Sequence, residues 1–257
     1  MRIDLNSDLG ESFGAWPMGQ DAELMESISS ANVACGFHAG DPGAMRTTVA
    51  RAKANGVAVG AHPGFPDLVG FGRRELKATP QEVEDFVVYQ VAALAGVAAA
   101  QGVRLQHVKA HGALYNMACR DRALADAIAR AVAALDRSLI LFGLPNSELL
   151  RAGEAAGLRV VAEAFADRAY ERDGSLAARS KPGSVIHDSD AVVARAVRMV
   201  KSGDVVSLDG SVIRLGAQTI CLHGDTPGAA ALARQVRRGL EAAGVTIGAF
   251  GDQPQEP

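Results

Sequence analysis

The chain has 257 residues, a formal net charge of −3 at pH 7 and 48% hydrophobic residues. That length suits one large α/β domain or two small ones, with ample apolar content for a core. The absence of a basic block argues against nucleic acid or an anionic membrane surface as partner.

Met1-Arg-Ile-Asp-Leu-Asn-Ser-Asp has no apolar run of signal-peptide length, and no segment approaches a membrane span. Cys35, Cys119 and Cys221 form no Cys-x-x-Cys pair, which fits a reduced cytoplasm better than a disulfide framework.

In chain order, Ile3 to Asp8 reads as a strand on which Asp4, Asn6 and Asp8 share one face. Asp21 to Ser30 reads as helical. Ala31 to Gly36 is a second strand, closing in Phe37-His38-Ala39-Gly40-Asp41. Pro42 opens a helix to about Ala54, with Gly56 as its stop. Val57 to Ala61 is a third strand ending at His62-Pro63, followed by a Gly/Pro/Phe-rich loop from Gly64 to Arg74. Thr79-Pro-Gln-Glu82 is a capping box for a helix running to about Ala100.

A fourth strand carries His107, Lys109 and His111 on one face until Gly112 breaks it. A lysine between two histidines is unusual for packing alone. Asp121 to Leu135 is a helix, Ser138 to Phe142 a fifth strand, and Ser147 to Ala156 a short helix. Arg159 to Ala162 is a sixth strand, followed by Glu163, Asp167 and Arg168 and a loop long enough for a functional excursion. Asp188 to Ser202 is a helix, and an Asp209-Gly210 turn marks a hairpin near 205–215. Thr219 to Leu222 is the seventh strand, ending in His223-Gly224-Asp225, with Thr226-Pro227 capping a last helix. A single domain over 1–250 is expected, with a disordered tail over 251–257.

Strands alternating with helices imply a parallel sheet with right-handed crossovers. Polar motifs follow the strands, whereas Asn55-Gly56, Gln101-Gly102 and Ala156-Gly157 are plain return turns. That asymmetry marks the active-site face of an α/β barrel, so a seven-stranded parallel (β/α) barrel of TIM-like type is expected. Its mouth gathers Asp8, His38, His62, Lys109, His111, Glu163, Asp167, His223 and Asp225, while His187 lies apart in a loop. Aspartate with histidine suits a divalent metal, for which Asp8, His38 and His62 are candidate ligands, and equally suits acid–base chemistry. There is no phosphate loop and no Gly-x-Ser-x-Gly elbow. Cys35 and Cys221 lie inside apolar strands, where burial accounts for both.

Several segments together resemble the lactam-utilisation (LamB/YcsF-type) family. They are Asp4-Leu-Asn-Ser-Asp-Leu-Gly-Glu-Ser-Phe-Gly, Ala31-Asn-Val-Ala-Cys-Gly-Phe-His-Ala-Gly-Asp, Gly60-Ala-His-Pro-Gly-Phe-Pro-Asp, Gly70-Phe-Gly-Arg-Arg, Val108-Lys-Ala-His-Gly-Ala-Leu-Tyr-Asn, Glu163-Ala-Phe-Ala-Asp-Arg and Cys221-Leu-His-Gly-Asp-Thr-Pro. One departure is Ala110, where the family usually has proline between the lysine and the histidine.

The resemblance implies the A subunit of a bacterial ATP-dependent 5-oxoprolinase, working with B and C subunits, on a barrel akin to the glycoside hydrolase/deacetylase superfamily. It implies ring opening of 5-oxo-L-proline to L-glutamate, with ATP as co-substrate and Mg²⁺ accompanying it. On that reading Lys109 with Arg73 or Arg74 stabilises a phosphoryl group or oxyanion. His111 or His223, oriented by Asp225 or Asp8, handles protons. Asn6, His38, Asp41 and Glu163 complete the substrate- and phosphate-binding set, with Glu163 and Asp8 near magnesium. Competing expectations are a metal-dependent deacetylase-like hydrolase and a non-catalytic ligand-binding protein that serves a partner enzyme; self-association is compatible with all of these.

Overall fold

The structure is a computed structural model that describes residues 1–222 and 228–250. In chain order its first half comprises β1 (Arg2–Leu9), α1 (Asp21–Met25), β2 (Ser30–Ala34), α2 (Pro42–Ala54), β3 (Ala58–His62), α3 (Pro80–Ala99), β4 (Leu105–Val108), α4 (Gly112–Ala118) and α5 (Arg122–Leu135). The remainder comprises β5 (Ile140–Gly143), α6 (Glu148–Ala155), β6 (Arg159–Phe165), α7 (Ser189–Lys201), β7 (Asp204–Val206), β8 (Val212–Arg214), β9 (Thr219–Leu222), α8 (Ala229–Ala242) and β10 (Thr246–Ile247). Strands β1 to β6 and β9 pair in parallel, and β1 pairs with β9 to close a seven-stranded barrel. Strands β7 and β8 form the separate antiparallel hairpin.

Helix starts follow the caps written in the sequence. Asp41, Thr79, Asp121, Ser147 and Asp188 each accept backbone N–H bonds at the first turn of their helices, and Thr79 with Glu82 completes the capping box. Each such cap is worth about 1 kcal/mol. Alanine-rich α5 buries Leu124, Ala125, Ile128, Ala131 and Val132, and small side chains on that face let it lie close to its neighbours.

Several elements differ from expectation, among them β6, which runs on past Ala162 to Phe165 and so holds Glu163 within the strand. Helix α1 is short because the chain already enters β2 at Ser30. Strand β4 ends at Val108, so Lys109 and His111 lie just beyond it rather than within it, and Gly112 at φ +57° starts α4 at once, a helix too short for its periodicity to stand out. The two-residue β10 pairs with Arg2 and Ile3 at the base of β1, below the point where β9 begins.

The barrel interior is unusual. TIM-type barrels are commonly filled with layers of branched aliphatic side chains. Here the apolar floor is Ile140, Phe142 and Val161, with Phe250 packed against it. Above lie buried polar residues: Asp4, Ser30 and Thr219, then Asn6, Asn32, His107 and Glu163, then Asp8, His62 and Lys109. Gly60 makes room for this filling, since a Cβ there would lie 2.1 Å from His107 Nε2. The larger apolar core sits outside the barrel, between strands and helices. Among the described residues, no helix is long and apolar enough to cross a membrane.

Candidate functional site

Lys109 anchors the upper interior. Its Nζ lies 2.9 Å from Asp8 Oδ1, 3.0 Å from Glu163 Oε1, 3.0 Å from Cys221 Sγ and 3.3 Å from Asn6 Oδ1. An ammonium has three protons, so its donors are saturated by protein. Burial alone would lower its pKa; Asp8, Cys221 and Glu163 more than offset this and hold it well above the usual lysine value. Cys221 is therefore more than a packed thiol, since it is one wall of the lysine's cage. Burial pushes that thiol's own pKa well up, with Lys109 opposing.

The network continues through amides. Asn6 Nδ2 donates to Glu163 Oε1 at 3.0 Å and Thr219 Oγ1 at 2.8 Å. Asn32 Nδ2 donates to Asp8 Oδ1 at 2.9 Å and Asn6 Oδ1 at 2.7 Å. Asn32 Oδ1 accepts from His107 Nε2 at 2.8 Å, and the His107 ring stacks on Phe142. Burial, then Lys109, brings the His107 pKa down to about 3, so this histidine is a neutral interior residue. At the base, burial raises the pKa of Asp4 despite bonds from Thr219, Ser29 and Ser30.

Around the mouth stands a second cluster. His62 Nδ1 donates to Lys109 O at 2.7 Å, and His111 Nε2 donates to Phe71 O at 2.8 Å. His62 Nε2 lies 3.3 Å from Asp8 Oδ2 and 2.9 Å from His111 Nδ1. Glu11 Oε1 lies 3.3 Å from His38 Nε2 and 3.6 Å from His111 Nδ1. The His38 and His111 rings stack at 3.7 Å. Burial holds both well below the usual histidine pKa, and neighbouring imidazoles lower them further.

A cavity of about 480 Å³ opens over these groups, with Asp8, His62, Lys109 and His111 in its wall and Tyr115 and Phe165 beside them. The long loop after β6 contributes Arg168 and residues 175–179, so that excursion forms part of the mouth. Arg73, Arg120, Arg168 and Arg179 all line the cavity, against Glu75. Arg120 pairs with Glu75, and Arg168 is tied to Ala177 O and Ser184 O. Burial, then the nearby Arg179 charge, lowers the Arg168 pKa to about 10. This cationic rim favours an anionic ligand.

Several expected site residues take other positions. Asp41 caps α2, accepting from Gly43 and Ala44 through Oδ1 and from Gly14 through Oδ2, which turns it from the cavity. Arg74 pairs with Asp67, and its side chain is 62% exposed. Asn6 and Glu163 are buried behind Lys109, and His38 lies behind the cavity wall. Of Asn6, His38, Asp41, Arg73, Arg74 and Glu163, Arg73 alone lines the cavity, where it joins Lys109. Of the expected metal group, His38 and His62 converge with Glu11 and His111, one ligand atom from each lying within 4.8 Å of every other, while Asp8 stands beside them with Oδ1 held by Lys109 and Asn32 and Oδ2 3.3 Å from His62 Nε2. His223, Asp225 and the Thr226-Pro227 cap lie outside the described residues, as does the 251–257 tail.

Glu11, Arg179, Tyr115 and Phe165 join the site without having been singled out by sequence reasoning. For Glu11 the available signal was the Asp-Leu-Gly-Glu motif, a polar turn directly after β1. Ala110 is buried and flanked by bonded amides, Lys109 N to Ala61 O at 2.9 Å and His111 N to Pro63 O at 2.8 Å.

The LamB/YcsF family model matches residues 3–255. The chain belongs to the LamB/YcsF family. Its relatives include a protein from Rhodopseudomonas palustris named as the A subunit of 5-oxoprolinase, 56% identical over 97% of this chain and 99% of that protein. Another protein of that name, from Bacillus subtilis, is 53% identical over 98% of each. The crystal structure of a lactam utilization protein from Thermus thermophilus superposes with a TM-score of 0.93 at 54% identity, covering 97% of this chain and all of that one.

Proposed function

We propose that this chain is the A subunit of an ATP-dependent 5-oxoprolinase, which opens 5-oxo-L-proline to L-glutamate together with B and C partner subunits. The observation that carries this reading is identity of 53–57%, across nearly the whole length, to proteins named as the A subunit of 5-oxoprolinase. The cavity chemistry is consistent with it. Its volume is ample for a small lactam, and its arginine rim suits a substrate carboxylate or a phosphoryl group.

A lactam carbonyl is a poor electrophile because amide resonance stabilises it. Transfer of the ATP γ-phosphoryl to the carbonyl oxygen, with release of ADP, gives an imidate-like ester. Water then adds to the carbon, the ring C–N bond breaks with the nitrogen taking a proton, and a further water releases phosphate. In this scheme Asp8 is the base for water: it reaches the cavity, and Asn32 and Lys109 hold its Oδ1 in place. Lys109 is a positioning residue that keeps Asp8 charged. His62 and His111 each have one ring nitrogen bound to a backbone carbonyl and the other against a neighbouring imidazole, which leaves His111 poorly placed as the base. Arg73 and Arg179 meet the substrate's negative charge, and ATP enters the assembled enzyme with Mg²⁺.

The test is an assay of the purified chain with and without the B and C subunits, following glutamate and ADP. Both products are expected only when all three subunits and ATP are present. Glutamate formed by this chain alone without ATP would overturn the reading. Full activity of a folded Asp8→Asn chain in the complete mixture would remove Asp8 from its role.

A further inference from the structure

We propose that Glu11, His38, His62 and His111 form a binding site for one divalent transition-metal ion of the zinc class, set in the cavity wall beside Asp8. The inference stands on side-chain geometry and is independent of the ring-opening reading.

The first observation is a conflict between two imidazoles. A carbonyl oxygen can only accept a hydrogen bond, so His62 carries its proton on Nδ1 toward Lys109 O, and His111 carries its proton on Nε2 toward Phe71 O. The remaining nitrogens, His62 Nε2 and His111 Nδ1, then present lone pairs to each other at 2.9 Å. Neutral rings repel in that arrangement unless something positive lies between or beside them. Backbone carbonyls that fix the far nitrogen are also the usual outer support of metal-binding histidines.

The second observation is the spacing of the whole group. A tetrahedral ion with bonds of about 2.1 Å separates its ligand atoms by about 3.4 Å. The separations are 2.9 Å for His62 Nε2 to His111 Nδ1, 3.3 Å for His38 Nε2 to Glu11 Oε1, and 3.6 Å for His111 Nδ1 to Glu11 Oε1. One ligand atom from each of the four residues lies within 4.8 Å of every other, and all four residues are buried. Three imidazoles with one carboxylate select a borderline ion over Mg²⁺ or Ca²⁺, which prefer all-oxygen shells. A shared proton would relieve the His62–His111 contact, and a hydrogen bond joins His38 Nε2 to Glu11 Oε1, but neither accounts for the convergence of all four ligand atoms on one point.

The backbone is shaped to hold this group. Gly10 at φ +68° turns the chain after β1 so that Glu11 points inward. Gly72 lies against the stacked pair, and a Cβ there would come within 2.8 Å of His38 and 2.9 Å of His111. Cys35 is turned away, its thiol donating to Val33 O.

The experiment uses the full chain, stripped with chelator and titrated with Zn²⁺ and, separately, Co²⁺. Metal content is measured by mass spectrometry, binding by calorimetry, and Co²⁺ geometry by visible absorption. One ion per chain with the intense visible bands of four-coordinate Co²⁺ is expected, together with loss of stoichiometric binding in His62→Ala and in His111→Ala. Glu11→Gln, which keeps the shape and removes the charge, is expected to weaken binding without changing the far-ultraviolet circular dichroism. Absence of binding by the folded wild-type chain at millimolar metal would overturn the proposal and leave a shared proton between the imidazoles. Equal binding by the wild-type and His62→Ala chains would overturn it as an adventitious surface ion.

Discussion

Replacing Lys109 with methionine tests the central claim about the barrel interior. The substitution keeps an unbranched stem of similar length and removes the ammonium. Asp8 and Glu163, whose side chains are 10% and 0% exposed, then lose their shared cation. Removing one partner of a buried ion pair typically costs about 3–5 kcal/mol, because the remaining charge is left without compensation. Against a total stability of about 5–15 kcal/mol for a domain, that is a large fraction. Urea unfolding followed by circular dichroism, near neutral pH, measures the loss directly.

The pH dependence carries a definite sign. Lys109 is held above the ordinary lysine value of 10.5 in the folded chain, so its stabilisation is complete below that value and is lost only as pH rises through the folded pKa. The gap between the wild type and Lys109→Met is therefore expected to stay level from about pH 7 to 9. Adding Glu163→Gln to the variant removes one stranded charge and should recover part of the loss. A Lys109→Met chain within about 1 kcal/mol of wild type, or a double variant no more stable than the single one, would refute this account of the interior.

Other substitutions separate the site from its scaffold. His107 is held at about 3 against an ordinary 6.5, so its contribution to stability is full above pH 6.5 and is lost as pH falls toward 3. Wild type is expected to lose about 2 kcal/mol between pH 7 and 5 from this group, so the slope in urea titrations should be shallower by that amount in His107→Gln, with His38 and His111, also held low, keeping a share of it. Gly60→Ala sets a methyl against the His107 ring and should lower stability in thermal unfolding as overpacking does, by about 1–3 kcal/mol or more. Asp41→Ala should cost about 1 kcal/mol as a lost cap, while leaving activity of the three-subunit mixture unchanged.

Much of the fold was legible because its signals are local. The caps at Asp41, Thr79 and Asp121 and the strand parity of Asp4, Asn6 and Asp8 need only neighbouring residues to be read. The site was legible as a set of strand ends, but depth and rotation were not. Parity places Asn6, Glu163 and Lys109 inside the barrel without telling which of them meets the cavity, since that depends on strand stagger. The pairing of Arg74 with Asp67 and the second job of Asp41, holding the Gly14 amide, are loop contacts with no period to announce them. Glu11 escaped notice because a glycine at positive φ turned it toward histidines far along the chain.

The seam between β1 and β9 has a consequence for how the barrel comes together. Ser7 Oγ donates to Leu222 O at 2.6 Å and Thr219 Oγ1 donates to Asp4 Oδ2 at 2.5 Å, joining residues 215 positions apart. Lys109 touches Asp8 on one side of this seam and Cys221 on the other. Ring closure and dehydration of the lysine are thus one event, and a partly open sheet keeps a wet lumen that stabilises nothing. A barrel filled with aliphatic side chains can gain by closing in stages; one filled with charges and amides gains only when the circle is complete. Backbone amides of β1 and β9 are expected to exchange with deuterium together, at the global unfolding rate, and earlier exchange confined to β9 would show that the ring opens first at its seam.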